Sequence, residues 1–65
     1  KQMNAWNLGD QVTVQVPQQD GTFETFTGVV IEIKENGLIE VSPSKPNVGN
    51  IDCKPEWLYP EGWLS

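Results

Sequence analysis

Four of the six aromatic side chains, Trp6, Trp57, Tyr59 and Trp63, stand near the two ends of the sequence. Such rings join an apolar body to a polar tip. They hold cations over their faces and line grooves that take proline-rich peptides. The nearby acids Asp10, Asp52, Glu56 and Glu61 would favour a cationic partner. The residue types therefore nominate Trp6, Trp57, Tyr59, Trp63, Asp52, Glu56 and Glu61 as a binding face. The competing structural explanation is plain: a very small domain also uses tryptophan to cap its core.

Catalytic chemistry is poorly supplied. There is no histidine and no arginine, and the one cysteine is Cys53. A nucleophilic cysteine needs a base or a cation beside its sulfur. Lys54 adjoins Cys53, but successive strand residues face opposite ways. Cys53 reads instead as a small buried hydrophobe sharing the face of Ile51. The carboxylates, Glu32, Glu35 and Glu40 among them, show no paired or metal-loop pattern, so neither a catalytic pair nor a metal or other cofactor is expected. The formal charge of −5, from 9 acidic and 4 basic residues in 65, disfavours nucleic acid, because phosphate backbones are bound chiefly by lysine and arginine.

The apolar spacing that must position these residues is mostly two, the period of strands. Val12, Val14 and Val16 alternate with Thr13 and Gln15, which predicts a strand from Gln11 to Val16 with the latter pair solvated. Pro17 ends it, and Asp20-Gly21 marks a turn. A long second strand runs from about Thr22 to Lys34, and Gly28 within it suggests a bulge or bend. Asn36-Gly37 predicts a tight hairpin into a third strand, Leu38 to Ser42. A loop follows from Pro43 to Asn50, then a fourth strand, Ile51 to Lys54. Pro55 to Leu58 reads as one short helical turn, and Tyr59 to Leu64 as a short return strand. The loops Pro17 to Thr22 and Pro43 to Asn50 are further candidates for a binding surface. Four or five short strands in so small a chain manage their exposed edges best by closing into a barrel.

Leu8-Gly9-Asp10-Gln11-Val12-Thr13-Val14, Gly28-Val29-Val30-Ile31-Glu32-Ile33 and Gly37-Leu38-Ile39-Glu40-Val41 together resemble the rhythm of SH3-like barrels. The closest likeness is to the KOW and translation-protein subset and to small photosystem- and plasmid-borne SH3-like proteins. Asp52 to Leu58 is similar to the short turn before their last strand. The resemblance implies an SH3-like barrel, and it brings two alternative functions: nucleic-acid binding of KOW type, or an oligomeric enzyme built at a barrel interface like type II dihydrofolate reductase. The KOW binders are typically basic, and this chain is acidic. The reductases carry a Val-Gln-Ile-Tyr run where this chain has Asn50-Ile51-Asp52-Cys53.

The expectation is thus one all-β domain over residues 1–65, a small SH3-like barrel with residues 1–7 as an N-terminal arm. Its expected role is non-enzymatic recognition of a protein partner, a cationic or proline-rich segment, or of itself. No apolar run reaches the ~18 residues of a membrane span. Size and composition suit a cytoplasmic protein of a bacterium or phage.

Overall fold

Alternating valines build the first strand, β1 (Gln11–Pro17), in the computed structural model, which describes residues 6–62. β2 (Phe23–Ile33) returns antiparallel beside it and pairs Gln11 with Val29 through Pro17 with Phe23. β3 (Ile39–Pro43) pairs with the second half of β2, and β4 (Ile51–Cys53) with β3. A single 3-10 turn (Pro55–Trp57) leads into β5 (Leu58–Pro60), which pairs with β1. The described chain is therefore all-β, with five antiparallel strands ordered β4-β3-β2-β1-β5.

The two hairpin turns have one design. Gly21 N–H donates to Gln18 O at 3.2 Å and Gln18 N–H to Thr22 O at 2.8 Å. Gly37 N–H donates to Lys34 O at 3.0 Å and Lys34 N–H to Leu38 O at 2.9 Å. Each turn ends on a glycine in the left-handed region, φ 88° at Gly21 and 90° at Gly37. That conformation explains why glycine stands at both positions. The residue before each glycine also braces its turn. Asp20 Oδ1 accepts from Thr22 N–H at 3.0 Å and Thr22 Oγ1 at 2.6 Å, and Asn36 Oδ1 accepts from Leu38 N–H at 3.0 Å.

The hydrogen bonds from Thr22 hold the Asp20 carboxyl below its ordinary range. A carboxylate with a depressed folded-state pKa stabilises the fold above its unfolded pKa and stops doing so as pH falls through the folded value. Thr22→Val, which removes the hydroxyl donor, is expected to raise the Asp20 pKa, read by NMR titration. An unchanged titration would show that the hydroxyl bond does not form.

β4 and β5 are opposite edges of the sheet, yet only Lys54 and the 3-10 turn separate them. Five strands laid flat would hold the edges about 19 Å apart. The connecting residues reach only on the order of 14 Å. The sheet must curl, as right-handed twist allows. It stays open, since β4 and β5 are not hydrogen-bonded neighbours, but its inner face closes on one cluster, compatible with a small barrel-like domain. All five strands supply that core: Val12, Val14, Val30, Ile39, Val41, Cys53 and Leu58, with Trp6, Val16, Phe26, Ile51 and Trp57 packed against it.

Two expectations need correction. Thr13 is not solvated but 4% exposed. β1 is an interior strand, and Thr13 sits between Thr27 and the half-buried Tyr59. Of the bulge or bend expected at Gly28, the bulge lies elsewhere. The register shift lies between Val30 and Glu32, with Ile31 as the extra residue. Strict alternation would turn Glu32 inward with Val30; the bulge resets the parity so that Glu32 pairs with Glu40. Gly28 has a different cause: a Cβ there would lie 2.5 Å from Ser42 O and 2.7 Å from Val41 Cγ1. Its absence lets β3 cross close over β2.

Candidate functional site

The aromatic residues arrive from different elements. Trp6 precedes β1 and packs on the core, half-buried. Trp57 closes the 3-10 turn and packs on the same core cluster. Pro55 starts that turn with its φ already suited to it, and Trp57 N–H donates to Lys54 O at 3.0 Å. A 3-10 turn eclipses residues three apart. Accordingly Lys54 Nζ lies over the Trp57 ring, 5.8 Å from its centroid. One side of the indole rests on the core and a cation sits over its face.

Tyr59 follows Leu58, whose side chain is in the core. Strand alternation therefore turns Tyr59 to the outer face, opposite Thr13, where it is half-buried. Glu56 is exposed in the 3-10 turn, and Glu61 is exposed just after β5, its N–H donating to Gln11 O at 3.3 Å. The turn and β5 thus bring Trp57, Tyr59, Glu56 and Glu61 within one short stretch at the open edge of the sheet. Trp63 lies outside the described residues, as does the arm before residue 6.

Asp52 belongs to a different constellation. Cross-strand pairing aligns Glu32, Glu40 and Asp52 on three neighbouring strands. Like charges placed so oppose the sheet. Lys34 answers them, with Nζ 3.0 Å from Asp52 Oδ1 and 3.7 Å from Glu40 Oε1. Asn50 Nδ2 donates to Glu40 Oε2 at 3.1 Å. The Asp52 hydrogen bond, supported by the three carboxylates against partial desolvation, raises the Lys34 pKa. Neither this network nor the bulge that creates it is visible from sequence spacing.

Cys53 is fully buried, and its Sγ lies 3.6 Å from Ile51 O. Burial, with the Asp52 carboxylate adding to it, pushes the thiol up to about 11. That is the reverse of what a nucleophile needs. Among the described residues no three His, Cys, Asp or Glu side chains group to hold a metal ion, and no helix is long and apolar enough to cross a membrane. Comparison with known proteins finds no matching family, no matching curated protein and no matching solved structure.

Proposed function

We propose that this domain is a non-enzymatic, SH3-like binding module that recognises a basic or proline-rich segment of a protein partner through Trp57 and Tyr59, with Trp6 and Trp63 as the further aromatic candidates. The observation that carries the reading is the Trp57 ring, half-buried on the core side and faced by the ammonium of Lys54. A partner's lysine or arginine would take the place of Lys54 over that ring face, drawn by the same attraction. Exposed Glu56 and Glu61 add a negative rim beside it. Two of the chain's four lysines are engaged within it, Lys34 by carboxylates and Lys54 by Trp57, which favours protein over nucleic acid. A free buried thiol suits the reducing cytoplasm of the bacterium or phage-infected cell in which we place it.

The test is an NMR titration of the labelled chain with a capped, proline-rich peptide carrying several arginines. Saturable shifts are expected at the Trp57 indole N–H and the Tyr59 ring. Tyr59→Ala should weaken binding at least ~10-fold, about 1.4 kcal/mol, with an unchanged circular dichroism spectrum. Equal affinity for wild type and Tyr59→Ala would refute the assignment.

A further inference from the structure

β2 is longer than either neighbour. β1 covers its residues from Phe23 to Val29, while β3 pairs only from Gly28 onward. The first part of β2 therefore has one covered edge and one open edge. Hydrogen bonds fix which groups point where. Val30 N–H donates to Asp10 O at 2.9 Å and Gln18 N–H to Thr22 O at 2.8 Å, so even-numbered residues of β2 turn their peptide groups toward β1. Ser44 N–H donates to Thr27 O at 2.9 Å on the other side, so odd-numbered residues turn theirs away. The N–H and C=O groups of Phe23 and Thr25 thus point outward, and no described residue bonds them. Phe23 beside them is 58% exposed. This edge lies on the far side of β1 from β5, so it is separate from the Trp57 and Tyr59 face.

Unpaired strand edges are templates for another strand. Here the strand is rich in β-formers, Phe-Glu-Thr-Phe-Thr, with no proline or lysine to blunt it. We propose that the open edge of β2 at Phe23–Thr25 takes up an extended, basic segment of a partner protein as an added strand. The geometry admits an extended backbone because only that conformation presents donors and acceptors at the spacing of Phe23 and Thr25. Charge selects its composition. Glu24 lies between the two open residues, is exposed, and has no ion-pair partner among the described residues. In an added antiparallel strand the residue opposite Glu24 stands in a close, non-hydrogen-bonded pair. Lysine or arginine satisfies that position. A second copy of this chain does not: pairing Phe23 with Thr25 of the copy, which uses every open group, sets Glu24 against Glu24 between two chains of net charge −5. The inference does not depend on the role given to Trp57 and Tyr59.

The experiment uses the full labelled chain and two capped heptapeptides of alternating residues, one valine–lysine and one valine–glutamate. Amide exchange followed by NMR should find the Phe23 and Thr25 amides exchanging rapidly in the free protein, unlike those of Glu24 and Phe26. The lysine peptide should slow both outward amides at least tenfold and bind at least tenfold more tightly than the glutamate peptide. Glu24→Lys should reverse that preference. Thr25→Pro removes one outward donor without touching the β1 ladder and should abolish binding, while circular dichroism reports that the fold survives. Outward amides already protected in the free chain would overturn the proposal. So would lysine-peptide shifts confined to Trp57 and Tyr59, a result that would leave the aromatic-face reading standing.

Discussion

Gly28→Val is expected to destabilise the domain by about 3 kcal/mol, the upper part of the range for overpacking a well-filled interior. Glycine's place is on an interior strand, and the missing side chain is where the neighbouring strand passes. A Cβ would meet Ser42 O at 2.5 Å, Val41 Cγ1 at 2.7 Å and Pro43 Cα at 3.1 Å. Two of those atoms are backbone and cannot swing aside. Relief requires β3 to lift from β2, and Val41 is part of the core that such a movement would open. Domains of this size hold only ~3–10 kcal/mol in total. The melting temperature should fall by more than ~10 °C. Because the first carbon is the offender, Gly28→Ala should retain much of the penalty despite its smaller volume. Urea melts of both variants test this, and an alanine variant melting within a degree of wild type would show that β3 does not approach β2 so closely.

Cys53 should make the fold sensitive to alkali. Its thiol titrates at about 11 in the folded protein against an ordinary 9.0. Between those values the folded state keeps a proton that the unfolded chain has released. Stability is then fully present below about pH 9 and declines as pH rises toward 11, by on the order of 2–3 kcal/mol. Tyrosine and lysine titrate in the same range, so the informative quantity is the difference from Cys53→Ala, a variant less stable at neutral pH but without this decline. Parallel urea melts from pH 7.5 to 10.5 should show the two curves converging as pH rises. A constant gap would mean the thiolate forms without penalty. The same burial predicts native-state alkylation at pH 8 at least ~100-fold slower than in urea.

These two residues illustrate what the sequence revealed and what it withheld. Cys53 was legible because parity with Ile51 and the absence of any base are local facts. The two glycine-ended turns and the short turn at Pro55 were legible for the same reason. The requirement for glycine at position 28 was not, because its cause is the path of Val41 to Pro43 on another strand. The bulge at Ile31 hid behind a run of apolar residues that satisfies either parity, and only the pairing of Glu32 with Glu40 reveals it. Thr13 looked solvated because alternation describes a sheet with one wet face, whereas an interior strand beside Tyr59 has less wet surface to offer. In the candidate site, Trp57 and Tyr59 were nominated by type alone. That each is only half-buried follows once Leu58, not Tyr59, begins β5 and takes the core position. Lys34 finding Asp52 required knowledge of strand order that no spacing supplies.

The pairing of β1 with β5 bears on how the molecule reaches this state. Val14 lies against Leu58, at nearly opposite ends of the described sequence, whereas β1–β2, β2–β3 and β3–β4 are each neighbours along the chain. The three local pairings close short loops and can form within microseconds. Seating β5 must first meet the entropy of joining distant segments, and until it is met the outer edge of β1 remains without its partner. Folding should accordingly run in milliseconds to seconds, slower than its length alone suggests. A truncation at Leu58 would be expected to trap a three-hairpin intermediate with Val12 and Val14 uncovered on that side, the species from which aggregation would start.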